Sequence, residues 1–162
     1  MTIGAKCRLE RIRLRRPKQI RLGKYNAITE GTWFWPIDGD YNGVRIDIGD
    51  NNYFNRDVIL DACGLIKIGN HNMIGPRTYI TDSNHTMEPD RWIAECPMNV
   101  GTVTIGDGCW IGANVTILRN VTLGDRCIVA AGAVLSQSFP ANSVVGGNPA
   151  RLIRRQFVPQ EA

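Results

Sequence analysis

Residues 105–135 read IGDGCWIGANVTILRNVTLGDRCIVAAGAVL. Apolar residues recur there every six positions, at Ile105, Ile111, Ile117, Leu123, Val129 and Leu135. Four residues after each of the first five stands a small or β-branched residue: Cys109, Val115, Val121, Cys127 and Ala133. A period of six fits neither a helix, at 3.6 residues per turn, nor a meander of hairpins with variable turns. It suits a short strand plus a turn, with Gly in the turn because a left-handed backbone costs it little. Three such units would close one triangular coil of a β-solenoid. Stacked coils then place Ile105 over Leu123, Ile111 over Val129 and Ile117 over Leu135, about 4.8 Å apart. Cys109 and Cys127 are likewise separated by three units. They are expected to be stacked core thiols, not a redox pair.

The same period extends outward from this stretch. It covers Ile48, Phe54 and Leu60, then Ile68, Ile74 and Ile80, and more weakly Leu22, Ile28 and Phe34, with Ile3 and Leu9 in the same spacing. One solenoid domain over residues 1–162 is therefore expected. Its regularity breaks at an insertion over 35–47, at a two-residue register shift over 66–67, and at a projecting loop over 86–102. After Leu135 the repeat fades, and 150–156 reads as a short basic helix or cap, within a C-terminal cap over 150–162. Solenoids tolerate loops on one face, and those loops often carry the site.

Composition agrees with this all-β reading. Ile and Val together number 29 against nine Leu, so the apolar residues are mostly the β-branched kind that fit pleated surfaces. With 43% hydrophobic residues the chain can bury a core, which excludes a disordered segment. The longest charge-free stretch, 127–150, is broken by Gly, Ser, Asn and Pro, and no membrane span is expected from it. The segment 1–24 holds nine Lys or Arg and one Glu but no apolar core, so no secretory signal is expected either. Five widely spaced cysteines without a CxxC pair point to reduced thiols and a cytoplasmic setting. Charge is uneven: both ends are basic and the middle acidic, an arrangement that attracts phosphates or anionic lipid.

Two histidines are present. His71 lies inside a regular repeat and reads as a solvated turn residue. His85, in TDSNHTM, sits where the repeat ends and the long loop begins. Imidazole accepts protons near neutral pH, so a histidine there suits a general base acting on a hydroxyl or amine. No Ser or Cys is flanked by a matching base.

The IGxxxx repeats, the 105–135 segment and the ending VVGGNPARLIRR together resemble the hexapeptide-repeat acyltransferases. The similarity is greatest to short sugar O-acetyltransferases of the galactoside, maltose and surface-polysaccharide types. It implies a left-handed parallel β-helix, a hand that a period alone cannot reveal. It also implies acetyl-CoA as co-substrate, direct transfer without a metal, a homotrimer, and His85 as general base. Asn55 and Asn84 match positions near the acceptor. Trp110, Ala113, Ala131 and Ser136 match positions along the thioester and pantetheine, with the Ala113 N–H supporting the oxyanion. Ser136 departs from the usual threonine but keeps the hydroxyl. Arg151 and Arg154 match basic residues near the adenosine phosphates.

The expected activity is O-acetylation of a sugar hydroxyl, with antibiotic or amino-sugar N-acetylation and a non-catalytic scaffold as alternatives. A zinc enzyme on this scaffold would need three histidines per metal, and this chain has only His71 and His85. Nucleic-acid binding by the basic N-terminus lacks interleaved aromatics. Those N-terminal strands instead offer a surface that could rest on an anionic membrane.

Overall fold

In a computed structural model of the chain, which describes residues 1–37 and 43–156, the six-residue period becomes three parallel sheets wound about one axis. The first face stacks Thr2–Ile3, Ile20–Leu22, Ile46–Ile48, Leu65–Ile68, Thr102–Ile105 and Thr122–Leu123. The second stacks Arg8–Leu9, Ala27–Ile28, Tyr53–Phe54, Met73–Ile74, Trp110–Ile111, Ile128–Val129 and Ser143–Gly147. The third stacks Arg13–Leu14, Trp33–Pro36, Ile59–Ala62, Tyr79–Thr81, Thr116–Ile117 and Val134–Leu135. Register follows the period. Ile105 pairs with Leu123, Ile111 with Val129, and Ile117 with Leu135. Half of the strands among the described residues are a bare pair, and along a strand side chains alternate in and out, so each column needs an apolar residue at one position in six. Phe34, Phe54, Leu60, Ile68, Ile74 and Ile80 are all at most 1% exposed.

The repeat glycines serve a different purpose from the expected one. None of those in the Ile-Gly or Leu-Gly pairs has a positive φ. The left-handed position comes two residues later, at Tyr25, Asn51, His71, Arg77, Gly108, Asn114 and Arg126. What the repeat glycine supplies is room. A Cβ on Gly49 would lie 2.7 Å from the Gly69 carbonyl oxygen, and one on Gly75 would lie 2.5 Å from the Gly112 carbonyl carbon. Coils one strand spacing apart leave no space for a side chain at that corner.

The corner between the first and second faces carries an interior polar column. Asn52 N–H donates to Asn26 Oδ1 at 2.8 Å, Asn72 N–H to Asn52 Oδ1 at 2.9 Å, and Cys109 N–H to Asn72 Oδ1 at 2.7 Å. Cys109 and Cys127 continue it as buried free thiols that donate to the Gly124 and Pro140 carbonyls, each at 3.3 Å. The expected stacking of core thiols is thus present. Asn52→Ala would orphan the Asn72 N–H and the Gly69 carbonyl, which Asn52 Nδ2 reaches at 2.9 Å. Denaturant unfolding of that variant should show a loss of about 1–3 kcal/mol for each buried group left unpaired.

The irregular regions are narrower or differently built than expected. Trp35 and Pro36 belong to the strand Trp33–Pro36, and Ile46 and Asp47 to Ile46–Ile48. The insertion is therefore shorter than 35–47, and residues 38–42 lie outside the described residues. The register shift falls at the Cys63–Gly64 turn, not at 66–67, because Ile66 is a buried strand residue paired with Ile46. The projecting loop is an antiparallel arm, Ser83–His85 against Met98–Val100, so it starts before 86 and ends before Thr102, which joins the first face. Among the described residues the C-terminal segment is a strand, Ala150–Arg155, folded antiparallel onto Ser143–Gly147, where a short helix is one expectation. Alternating pairing along an open sheet edge prevails there over local helix propensity. Residues 157–162 lie outside the described residues.

Candidate active site

Residues on the outer row of the second face line a long cleft. Tyr53, Met73, Trp110 and Ile128 are successive partners along that row. With Asn55, Pro76, Ala113 and Ala131 at the adjoining corner they enclose about 440 Å³. The size suits a small-molecule ligand, and the wall is mostly apolar. Met73 and Trp110 offer exposed apolar surface there, 55% and 57% accessible. No backbone bond among the described residues uses the Ala113 N–H, which leaves a donor on this wall. Three of the four expected cofactor residues in the channel, Trp110, Ala113 and Ala131, therefore meet here with Asn55.

Ser136 does not join them. It sits at the corner between the third and first faces, in a smaller cleft of about 180 Å³ with Ser83, Asn84, Leu118 and Arg119. The two corners are a full face apart, so one coil cannot turn both toward the same ligand. Arg119 Nε in this cleft is buried and has no hydrogen-bond partner among the described residues.

His85 is also on this side. It stands exposed on the arm, opposite Met98, with Nδ1 3.5 Å from the Cys96 carbonyl oxygen. A proton on Nδ1 directed at that carbonyl would leave Nε2 as the basic nitrogen. The arm's root is fixed by Asp82, which is fully buried. Its carboxylate accepts from the Cys63 N–H at 2.7 Å and the Gly64 N–H at 2.9 Å, and its carbonyl accepts from the Gly101 N–H at 2.8 Å. Burial pushes the Asp82 carboxyl above the usual carboxylate range, while the two N–H bonds pull the other way.

Arg151 and Arg154 lie exposed on the terminal strand, opposite Gly146 and Val144. This strand borders the Ala131 end of the cleft, since Ala130 Cβ and Ile153 Cδ1 both crowd Gly146. Sequence reasoning missed Tyr53, Met73, Pro76 and Arg119. The first two share the repeat position of Trp110, so the period could have found them.

Comparison with known proteins agrees with this architecture. The family described as bacterial transferase hexapeptide (six repeats) matches residues 102–137. A Saccharomyces cerevisiae protein provisionally named an acetyltransferase is 38% identical over 121 residues, 74% of this chain and 60% of its own length. The galactoside O-acetyltransferase of Lactococcus lactis is 29% identical over 120 residues, 74% of this chain and 58% of its own. The chain spans about 60% of the length of the curated relatives it matches. A solved galactoside acetyltransferase in complex with coenzyme A superposes with a TM-score of 0.73 at 28% identity, covering 82% of this chain and 63% of that one. In its motif over residues 102–137, its fold and these relatives, the chain is similar to the hexapeptide-repeat acyltransferases, and its fold is a left-handed parallel β-helix like theirs.

Proposed function

We propose that the protein is an acetyl-CoA-dependent O-acetyltransferase acting on a sugar hydroxyl in the cytoplasm. The observation that carries this reading is the division of the site between two corners of one coil. The cleft with Asn55, Trp110, Ala113 and Ala131 has no base of its own, while the arm presents His85 away from any acyl channel. A second copy reconciles the two: the arm of one copy, with Asn84, Arg119 and Ser136 at its root, faces the cleft of its neighbour. Cyclic closure of three such contacts gives a trimer. The arm has the surface for it, with Met87 85% and Trp92 79% exposed.

In this arrangement Asn55 orients the acceptor, and the His85 Nε2 takes the proton of its hydroxyl as the oxygen attacks the thioester carbon. The Ala113 N–H donates to the developing oxyanion. As the C–S bond breaks, the imidazolium returns the proton to the departing sulfur, so free CoA and the acetyl ester leave with charges balanced. Arg151 and Arg154 attract the CoA phosphates at the far end of the cleft.

The galactoside O-acetyltransferase relative supports a sugar acceptor. The decisive experiment offers acetyl-CoA with galactosides, maltose and polysaccharide precursors against chloramphenicol, a streptogramin and amino-sugar nucleotides. Turnover confined to an antibiotic or a primary amine would reject the sugar-hydroxyl reading. Light scattering should give three chains per particle, and an active monomer would reject the shared site. Arg154→Glu should raise the KM for acetyl-CoA about tenfold or more and leave that for the acceptor within about twofold. Steady-state kinetics in both substrates checks it.

A further inference from the structure

The acyl cleft has a second cationic end. Around the corner from Asn55, a separate cavity of about 510 Å³ gathers Arg11, Arg13, Arg56 and Arg77 against Glu30 and Asp57. Four arginines and two acidic residues thus line one cavity. Pro76 borders both cavities, and Asn55 and Arg56 are neighbours in the chain, so the two spaces adjoin. Arg77 lends its Nε to Asn114 Oδ1 at 2.8 Å, and the Arg13 guanidinium stands 4.6 Å from the Trp33 ring centroid. Arg11 and Arg56 enter no ion pair among the described residues. The Asp57 carboxylate packs over Gly31, another residue of the cavity wall, where an added Cβ would lie 2.0 Å from it and a φ of +75° also favours glycine.

We infer that this arginine corner binds a phosphate or diphosphate carried by the acceptor, so that the sugar to be acetylated is a phosphate-linked one. The inference rests on the proposed acetyl transfer. It follows from the order of parts along the cleft. Asn55, Pro76, Ala113 and Ala131 stand on four successive coils, and three strand spacings separate the first from the last, about 14 Å. Arg151 and Arg154 border the Ala131 end, where the phosphates of CoA would sit. The opposite end then receives the acceptor, and four arginines there have no anion of the donor to meet. Guanidinium forks match phosphate oxygens two at a time, which suits a diphosphate better than a neutral sugar. A nucleoside diphosphate sugar and a polyprenyl diphosphate sugar share this chemistry.

The test begins with inorganic pyrophosphate titrated calorimetrically into the protein saturated with CoA. Binding beside CoA is expected, weakened about tenfold or more in Arg56→Gln and further in the Arg11→Gln/Arg56→Gln pair. Arg56→Lys should recover part of the loss. Both side chains are exposed, and circular dichroism melting checks that the variants fold. Kinetics with UDP-galactose, polyprenyl diphosphate galactose and methyl galactoside then separate the sources. Either diphosphate acceptor should exceed methyl galactoside in kcat/KM, with its KM raised by Arg56→Gln and the KM for acetyl-CoA unchanged.

Pyrophosphate that competes with CoA, or an Arg56→Gln variant that raises the KM for acetyl-CoA, would overturn the inference by assigning the corner to the donor. So would methyl galactoside as the preferred acceptor. If the acetyltransferase reading itself were wrong, CoA would fail to bind in the first step, which separates that failure from a failure at the arginine corner.

Discussion

His85→Ala should lower kcat by about 10²–10⁴ with the true acceptor, the usual cost of removing a general base. That corresponds to about 3–5.5 kcal/mol of transition-state stabilisation. His85 is exposed on the arm, so stability should stay within about 0.5 kcal/mol. Binding of acetyl-CoA should also persist, because Tyr53, Met73, Trp110 and Ala131 form the cleft wall and His85 is not part of it. Rapid-mixing kinetics and CoA calorimetry on the same variant separate the two effects. A folded His85→Ala enzyme with turnover within a few fold of the parent would remove the base from His85.

Phe54→Ala should be the most damaging single truncation in the core. Phe54 is fully buried and meets Phe34 edge to face, with ring centroids 5.9 Å apart and planes at 73°. Losing a buried phenyl ring typically costs about 3–5 kcal/mol, since a stacked coil cannot collapse into the space left behind. The cavity would lie beneath Tyr53 and Asn55, so affinity for the acceptor should fall together with stability. Urea unfolding at one fixed protein concentration measures the first, because assembly would otherwise shift the midpoint. A loss below about 1 kcal/mol would mean that the columns are packed far less tightly than the register implies.

Legibility differed sharply between the strands and their exceptions. Columns such as Ile105 over Leu123 were readable because such short strands force one inward position in every six, and a stacked coil repeats it. The polar column was half readable. Cys109 and Cys127 show the three-unit spacing, whereas Asn26, Asn52 and Asn72 sit at the same place in their coils but are hidden by the insertion and the extra turn at Cys63–Gly64. The reason for the repeat glycine was not readable. A glycine needed for clearance and one needed for positive φ look alike in a sequence, and only the neighbouring coil tells them apart.

The same division holds for the site. From the chain alone come the solenoid, the break at His85, and the row that carries Trp110, because each is written in local periodicity or its interruption. Where these parts meet is another matter. Ser136 and Trp110 are expected along one cofactor, yet Trp110 stands on the second face and Ser136 at the corner between the third and first. Arg11 with Arg13, Arg56 and Arg77 come from three separate stretches of the chain and share one cavity. Winding sets these distances: residues one coil apart become neighbours about 4.8 Å away, while residues half a coil apart end on different faces. Local pattern decides which strands form, and the stacking of coils decides which side chains can reach the same ligand.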